Sequence, residues 1–244
     1  MNLQLHEIAL FLSIILVPLI FAVTFHEAAH GFIAKLRGDS TAAMLGRVTL
    51  NPIKHIDPVG TIVVPVSMLL ISLSTGTGFL FGWAKPVPVN FNNLKRPRLD
   101  MALVALAGPF ANFLMAIIWY LLSAYAITSE SFAQMAFYGV FINLILMVLN
   151  LLPIPPLDGS RIVSACLPND LMIAYNRLGQ YGLIILIVIL LLPIGPHNSL
   201  LFSIILPTVM FFIHLFDLVF GPSLSYAFQL SMQSYHLIVP YSFA

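Results

Sequence analysis

The sequence is poor in charge and nearly free of cysteine. Only 8% of its 244 residues are Asp, Glu, Lys or Arg, about a third of the ~25% usual in soluble domains. A soluble fold of this length could not cover its surface with so few charges, which excludes an ordinary soluble enzyme and a disordered chain. Ten Lys and Arg against nine Asp and Glu leave a net charge of +1, so no basic field exists to attract nucleic acid. The single cysteine, Cys166, excludes an intramolecular disulfide and any Cys-rich metal site. No basic residue precedes Lys35. The first apolar run therefore lacks a positive n-region, and no signal peptide is expected.

What the chain has in abundance is apolar sequence. Hydrophobic residues make up 60% of it, and the mean hydropathy is +1.00. Together these point to a polytopic membrane protein. Membrane helices are expected at about Ile8–Ala34, Met101–Ile127, Ala133–Leu152, Tyr181–Leu192 and Ser199–Phe220. Between the first two lie apolar blocks at Gly60–Leu73 and Phe79–Trp83. No stretch is polar enough for an extramembrane domain, so residues 1–244 read as one integral membrane domain, with a core over 8–165 and accessory helices and a tail over 166–244.

The basic residues set the topology. Lys35, Arg37, Arg47 and Lys54 follow the first helix; Lys85, Lys95, Arg96 and Arg98 precede the second; Arg161 and Arg177 lie between the third and fourth. The other connections carry none. The positive-inside rule places basic residues in the cytoplasm. All ten can be there only if Gly60–Trp83 enters and leaves on one side; a single crossing would put Lys85, Lys95, Arg96 and Arg98 outside. Leu73–Gly78, rich in Gly, Ser and Thr, supplies a reversal point. The expected fold is therefore all-α and polytopic: about five transmembrane helices plus a re-entrant, β-hairpin-like segment. Gly46–Leu50 and Lys85–Asn90 are expected as its flanking strands, the latter an edge because of its alternating prolines. The N-terminus falls outside and the C-terminus in the cytoplasm of a plasma or inner membrane.

Within the first helix stands His26-Glu27-Ala28-Ala29-His30. Residues i and i+4 share a helical face, so both imidazoles can reach one Zn²⁺. Glu27 projects from a neighbouring direction and suits the general base of a zinc hydrolase. The bland alternative is a pair of core histidines beside a neutralised Glu. A charged group at mid-helix costs ~2.5–3.5 kcal/mol on insertion scales, which a metal offsets and a bland core does not. His30 lies five residues before Lys35, about 7.5 Å deeper, and His26 about 6 Å deeper still. A catalytic zinc needs a third protein ligand and an open position. Asp158 is the candidate. It follows Pro153-Ile154-Pro155-Pro156-Leu157, whose prolines break the third helix, and it precedes Gly159. An N-cap for the next helix is its alternative reading.

These motifs resemble the site-2 protease family of intramembrane zinc metalloproteases. The resemblance rests on His26–His30, on Asn150-Leu151-Leu152-Pro153-Ile154-Pro155-Pro156-Leu157-Asp158-Gly159, on Ala107-Gly108-Pro109-Phe110-Ala111-Asn112, and on Gly82–Asn90, which is similar to a segment of compact bacterial members. It covers roughly residues 8–165. It implies one Zn²⁺ held by His26, His30 and Asp158, with Glu27 activating water. It also implies that Asn150 holds substrate or oxyanion. Ser160 stands where many members carry a second Gly, and no PDZ-type or CBS-type domain is expected. The implied partners are transmembrane segments of membrane protein substrates and the lipid bilayer, with no nucleic acid. The implied chemistry is hydrolysis of a peptide bond within or next to such a segment; apart from the resemblance, the edge expected at Lys85–Asn90 suits an unwound substrate by strand addition. A metal-binding membrane transporter shares intramembrane His and Asp but leaves Glu27 unexplained. A catalytically inactive scaffold for transmembrane helices leaves the complete donor set unexplained.

Elsewhere, Asn112 reads as an interhelical packing residue, and His55 and Asp57 as caps or turns in a Pro-bracketed loop. His214 and Asp217, at i and i+3 on the last helix, read as a hydrogen-bonded pair. Ser223–Gln233 alternates polar and apolar without a functional reading. Oligomeric state has no sequence signal.

Overall fold

A computed structural model describes residues 5–68, 82–123, 129–191 and 200–222. Its long helices are α1 (Leu5–Arg37), α2 (Pro97–Ser123) and α3 (Glu130–Leu151). They are followed by α4 (Asp158–Cys166), α5 (Asn169–Arg177), α6 (Gly182–Leu191) and α7 (Leu200–Phe220). Five segments are long and apolar enough to cross a membrane: Leu12–Arg37, Pro97–Ser123, Ser131–Leu151, Asn169–Ile189 and Ser203–Phe220. The all-α, polytopic expectation therefore holds. The fourth span starts twelve residues earlier than Tyr181. Its first half is polar (Asn169, Asp170, Asn176, Arg177), and one 3-10 turn, Leu178–Tyr181, joins α5 to α6. Hydropathy alone registered only the apolar half.

The hairpin-like segment is corrected. Among the described residues there is no strand; Pro58–Val63 is a π-helical turn that continues as α-helix to residue 68. The reason is local. Asp57 accepts hydrogen bonds from the Val59 and Gly60 amides, and Pro58 occupies the first position, which together start a helix rather than a strand. A short apolar run does not by itself tell strand from helix. Gly46–Leu50 is a turn and a series of bends, and residues 82–90 carry no regular structure. Pro86 and Pro88 supply no ladder donors. The ends of the segment nevertheless meet: the Trp83 amide donates to Gly60 O at 3.0 Å, and the Lys85 amide to His55 O at 2.9 Å. The reversal point at Leu73–Gly78 and the tail Ser223–Gln233 lie outside the described residues.

α2 packs against α3, α1 and α4, and α1 packs against α3. Lipid is as apolar as Leu, so membrane helices associate through close packing and interhelical hydrogen bonds rather than by exclusion from water. Buried Ala22, Ala28 and Ala34 on α1 face a bundle in which Ala105, Ala107 and Gly108 of α2 are also buried. The larger core holds Trp119 and Tyr120 of α2, Val140 and Leu144 of α3, and Val209 and Phe216 of α7.

One end of the bundle is tied by polar contacts. Arg37 pairs with the fully buried Asp100, Nη2 to Oδ1 at 2.5 Å. Arg47 Nη2 donates to Lys85 O at 2.8 Å. Buried Asp39 accepts from the amides of Thr41 and Asn90 and from the Asn93 side chain. Burial pushes the Asp39 carboxyl up, but the hydrogen bonds from Thr41, Asn93 and Asn90 outweigh it and hold the group below the ordinary carboxylate range.

Candidate metal centre

His26 and His30 are both buried on one face of α1. Each ring is oriented from behind by α2. His26 Nδ1 lies 2.6 Å from Asn112 Oδ1, and His30 Nδ1 lies 2.7 Å from Val104 O. The Asn112 amide nitrogen donates to Ala22 O and to Asn143 Oδ1, so only its oxygen faces His26. Both partners are acceptors, which requires both Nδ1 atoms to carry the proton. A neutral ring held this way presents its Nε2 lone pair inward, and the two Nε2 atoms lie 3.0 Å apart.

The third atom comes from the break after α3. That helix ends at Leu151, and α4 begins at Asp158. Gly159 sits so close to the preceding turn that a Cβ there would overlap Leu151 O and Leu152 O. The tight turn swings the Asp158 carboxylate toward α1. Asp158 Oδ2 lies 3.2 Å from His26 Nε2 and 3.3 Å from His30 Nε2. Leu157, not Asp158, is the cap residue, and no side-chain capping bond forms. Ser160 is buried and donates to Leu157 O at 2.7 Å, so serine is accommodated there.

With both rings neutral, three acceptor atoms converge here, and Asp158 Oδ2 is buried without a hydrogen-bond donor. Such a triangle is repulsive unless a cation fills it. Ligands at ~2.0–2.1 Å on a tetrahedral ion lie about 3.3 Å apart, close to the three edges seen here. Gly108 makes room: a Cβ at that position would overlap His30 Nε2 and lie 2.6 Å from His26 Nε2. The residues fit a zinc ion with one open coordination position. Among the described residues, His26, His30 and Asp158 form the one group of this kind.

Glu27 and Asn150 line the same cavity, of about 220 Å³, with Pro86, Val87 and Val89 on another wall. Glu27 Oε2 accepts a hydrogen bond from the Val87 amide at 2.7 Å. Asn150 donates to Leu146 O of its own helix at 2.9 Å. Asn112, expected as a packing residue, does cross the bundle, and it also orients His26. Its place in Ala107–Asn112, beside Gly108, was the available signal. His55 Nε2 donates to Thr49 O at 2.9 Å, and Asp57 caps its turn as expected. His214 and Asp217 do not pair. His214 Nδ1 bonds Met210 O at 2.7 Å, while Asp217 accepts from Tyr120 at 2.5 Å.

A His-His-Asp donor set buried among membrane-spanning helices suits a metal ion, and sequence comparison tells which class of membrane metalloprotein carries it. The profile described as Peptidase family M50 matches residues 124–193. The protein named "Putative zinc metalloprotease YwhC" from Bacillus subtilis (strain 168) is 38% identical over 192 residues, covering 75% of this chain and 82% of that protein. The Rip2 proteins, named in the same way, are similar too. That of Mycolicibacterium smegmatis is 32% identical over 180 residues, 71% of this chain and 65% of its own length. That of Mycobacterium tuberculosis H37Rv is 35% identical over 172 residues, 69% and 62% respectively. No solved structure matches the chain. The chain belongs to peptidase family M50, the site-2 protease family: it is a multi-pass membrane metalloprotease, and zinc is its metal.

Proposed function

We propose that this protein is an intramembrane zinc endopeptidase that hydrolyses peptide bonds within or next to transmembrane segments of membrane proteins. The observation that carries this reading is the convergence of His26 Nε2, His30 Nε2 and Asp158 Oδ2 within 3.0–3.3 Å between membrane helices. Those three residues hold the metal. Bound zinc supplies Lewis acidity toward a carbonyl oxygen and makes water acidic enough to react near neutral pH.

The chain's own residues do the rest. Glu27 sits one residue from His26 and faces the same cavity. The Val87 amide holds one carboxylate oxygen and leaves the other for the attacking water. Glu27 takes the water's proton and returns it to the leaving amine. Asn150 has one N–H tied to Leu146 O; its second N–H donates to the oxygen that gains charge in the transition state. Asn112 and Val104 keep the histidine rings in the tautomer that presents Nε2.

The substrate is a membrane helix whose carbonyls are masked by its own ladder, so it unwinds before cleavage. The active site lies nearer the cytoplasmic face. Support comes from the basic residues, which the Arg37–Asp100, Arg47–Lys85 and Arg98–Asn169 contacts gather at the α4 end of the bundle. Cys166, exposed and unique, reads this out: an impermeant maleimide labels it in inverted vesicles and not in intact cells.

The decisive experiment compares the purified wild type with Glu27→Gln on a transmembrane substrate while zinc is measured. The expected result is retained zinc and a loss of ~10²–10⁴ in kcat. Cleavage at wild-type rate in the variant overturns the mechanism. Zinc bound without cleavage in either protein favours a metal transporter or an inactive scaffold.

A further inference from the structure

Beside the catalytic cavity lies a second, larger one of about 680 Å³, within the ~300–1,000 Å³ typical of binding pockets. Phe91, Pro156 and Arg161 line both cavities. The two are therefore neighbours across a shared wall, and a chain extending from the scissile bond can cross it.

The charge of this side cavity is one-sided. Arg98 and Arg161 line it, and no Asp or Glu does. Arg161 is three residues after Asp158 on α4, so it lies on the helical face that carries the metal ligand. Its guanidinium rests 4.7 Å above the Phe91 ring. Among the described residues it donates no hydrogen bond and joins no ion pair within bonding distance. A guanidinium stacked on an aromatic face keeps its planar N–H fork available for a carboxylate. Arg98 is held in place by Asn169 Oδ1 at 2.5 Å, which uses one of its five donors. Met101, Met172 and Pro155 supply apolar wall for a peptide backbone and side-chain stems.

We propose that this cavity is a substrate subsite for a carboxylate, with Arg161 as its inner ligand and Arg98 as its outer one. The proposal rests on the protease reading and adds a specificity to it. Most transmembrane segments carry Lys or Arg on the cytoplasmic flank. Two guanidiniums repel such a flank and accept an acidic one, so the subsite selects by rejection as well as by attraction. The carboxylate is either an acidic side chain near the scissile bond or the α-carboxylate of a short peptide.

The test uses zinc-loaded full-length protein in phosphatidylcholine vesicles. The substrates are transmembrane peptides identical except for Glu, Gln or Lys at one flanking position, each with a free or an amidated C-terminus. The expected wild-type kcat/KM is about tenfold or more higher for Glu than for Lys, the size of a charge-assisted hydrogen bond. Arg161→Gln shrinks that ratio and Arg161→Glu inverts it. If amidation slows cleavage whatever the flanking residue, the ligand is the α-carboxylate; if Glu-to-Gln exchange removes the preference at either C-terminus, the ligand is the side chain. Anisotropy of the same labelled peptides on the Glu27→Gln protein gives the binding preference without turnover. An unchanged Glu-to-Lys ratio in Arg161→Glu, or an equal loss on all peptides in folded variants, overturns the subsite. Wild type cleaving every peptide equally also overturns it and leaves the protease reading standing. If wild type cleaves nothing, that reading fails, and the binding preference still decides the subsite.

Discussion

The chain holds two helical pairs that contain histidine, His26 with His30 and His214 with Asp217, and they behave in opposite ways. On α1, His26 and His30 present Nε2 to a shared point, because α2 takes up both Nδ1 protons and α4 delivers Asp158 from outside the helix. On α7, His214 folds back onto its own helix at Met210 O, and Asp217 accepts from Tyr120. Spacing is similar in both. What differs is whether other elements orient the rings and add a third donor. A metal centre is made by convergence across elements, and a helical repeat supplies only part of it.

This contrast can be broken at either end. The largest effect is expected for Asp158→Ala, which removes one of the three proposed ligands: zinc content, by elemental analysis, falls to background and cleavage is lost. Gly108→Ala comes next. Its methyl group overlaps the imidazoles, and overpacking of ~1–3 kcal/mol weakens zinc binding about 10–100-fold in a competition titration. Tyr120→Phe acts on the other set. It strips the donor from Asp217 and costs ~1–3 kcal/mol of stability, seen in thermal unfolding, while zinc content stays at wild-type level. His214→Ala is smallest, within about 0.5 kcal/mol, because the side chain is exposed and bonds only its own helix. A loss of zinc in the last two variants would erase the distinction between the sets.

Much of this was legible in the linear chain, and the exceptions have physical reasons. The long apolar helices read well because twenty apolar residues have few uses outside a membrane. The α5 half of the fourth span did not, since Asn169–Arg177 carries polar residues at a helix start. The expected strands Gly46–Leu50 and Lys85–Asn90 did not form: Pro86 and Pro88 supply no ladder donors, and between them Asp57 and Pro58 start a helix, a local signal that outweighed a short apolar run. Asn112 was half read. Its interhelical hydrogen bonding was foreseen, but that its oxygen points at His26 depends on where Ala22 O and Asn143 take up its two N–H groups.

Sequence alone determined that the chain is a membrane protein, because 8% charge cannot cover a soluble surface. It also determined that His26 and His30 share one face, because helical periodicity is intrinsic to the backbone. The tertiary structure decided the rest. Asp158, 128 residues beyond His30, becomes a donor to the same point only through the turn at Gly159 and the close approach of α2 that Gly108 allows. It also decided that the two Nε2 atoms, rather than the Nδ1 atoms, face Asp158. Which nitrogen carries a proton is set by the acceptor behind each ring, and α2 supplies both acceptors.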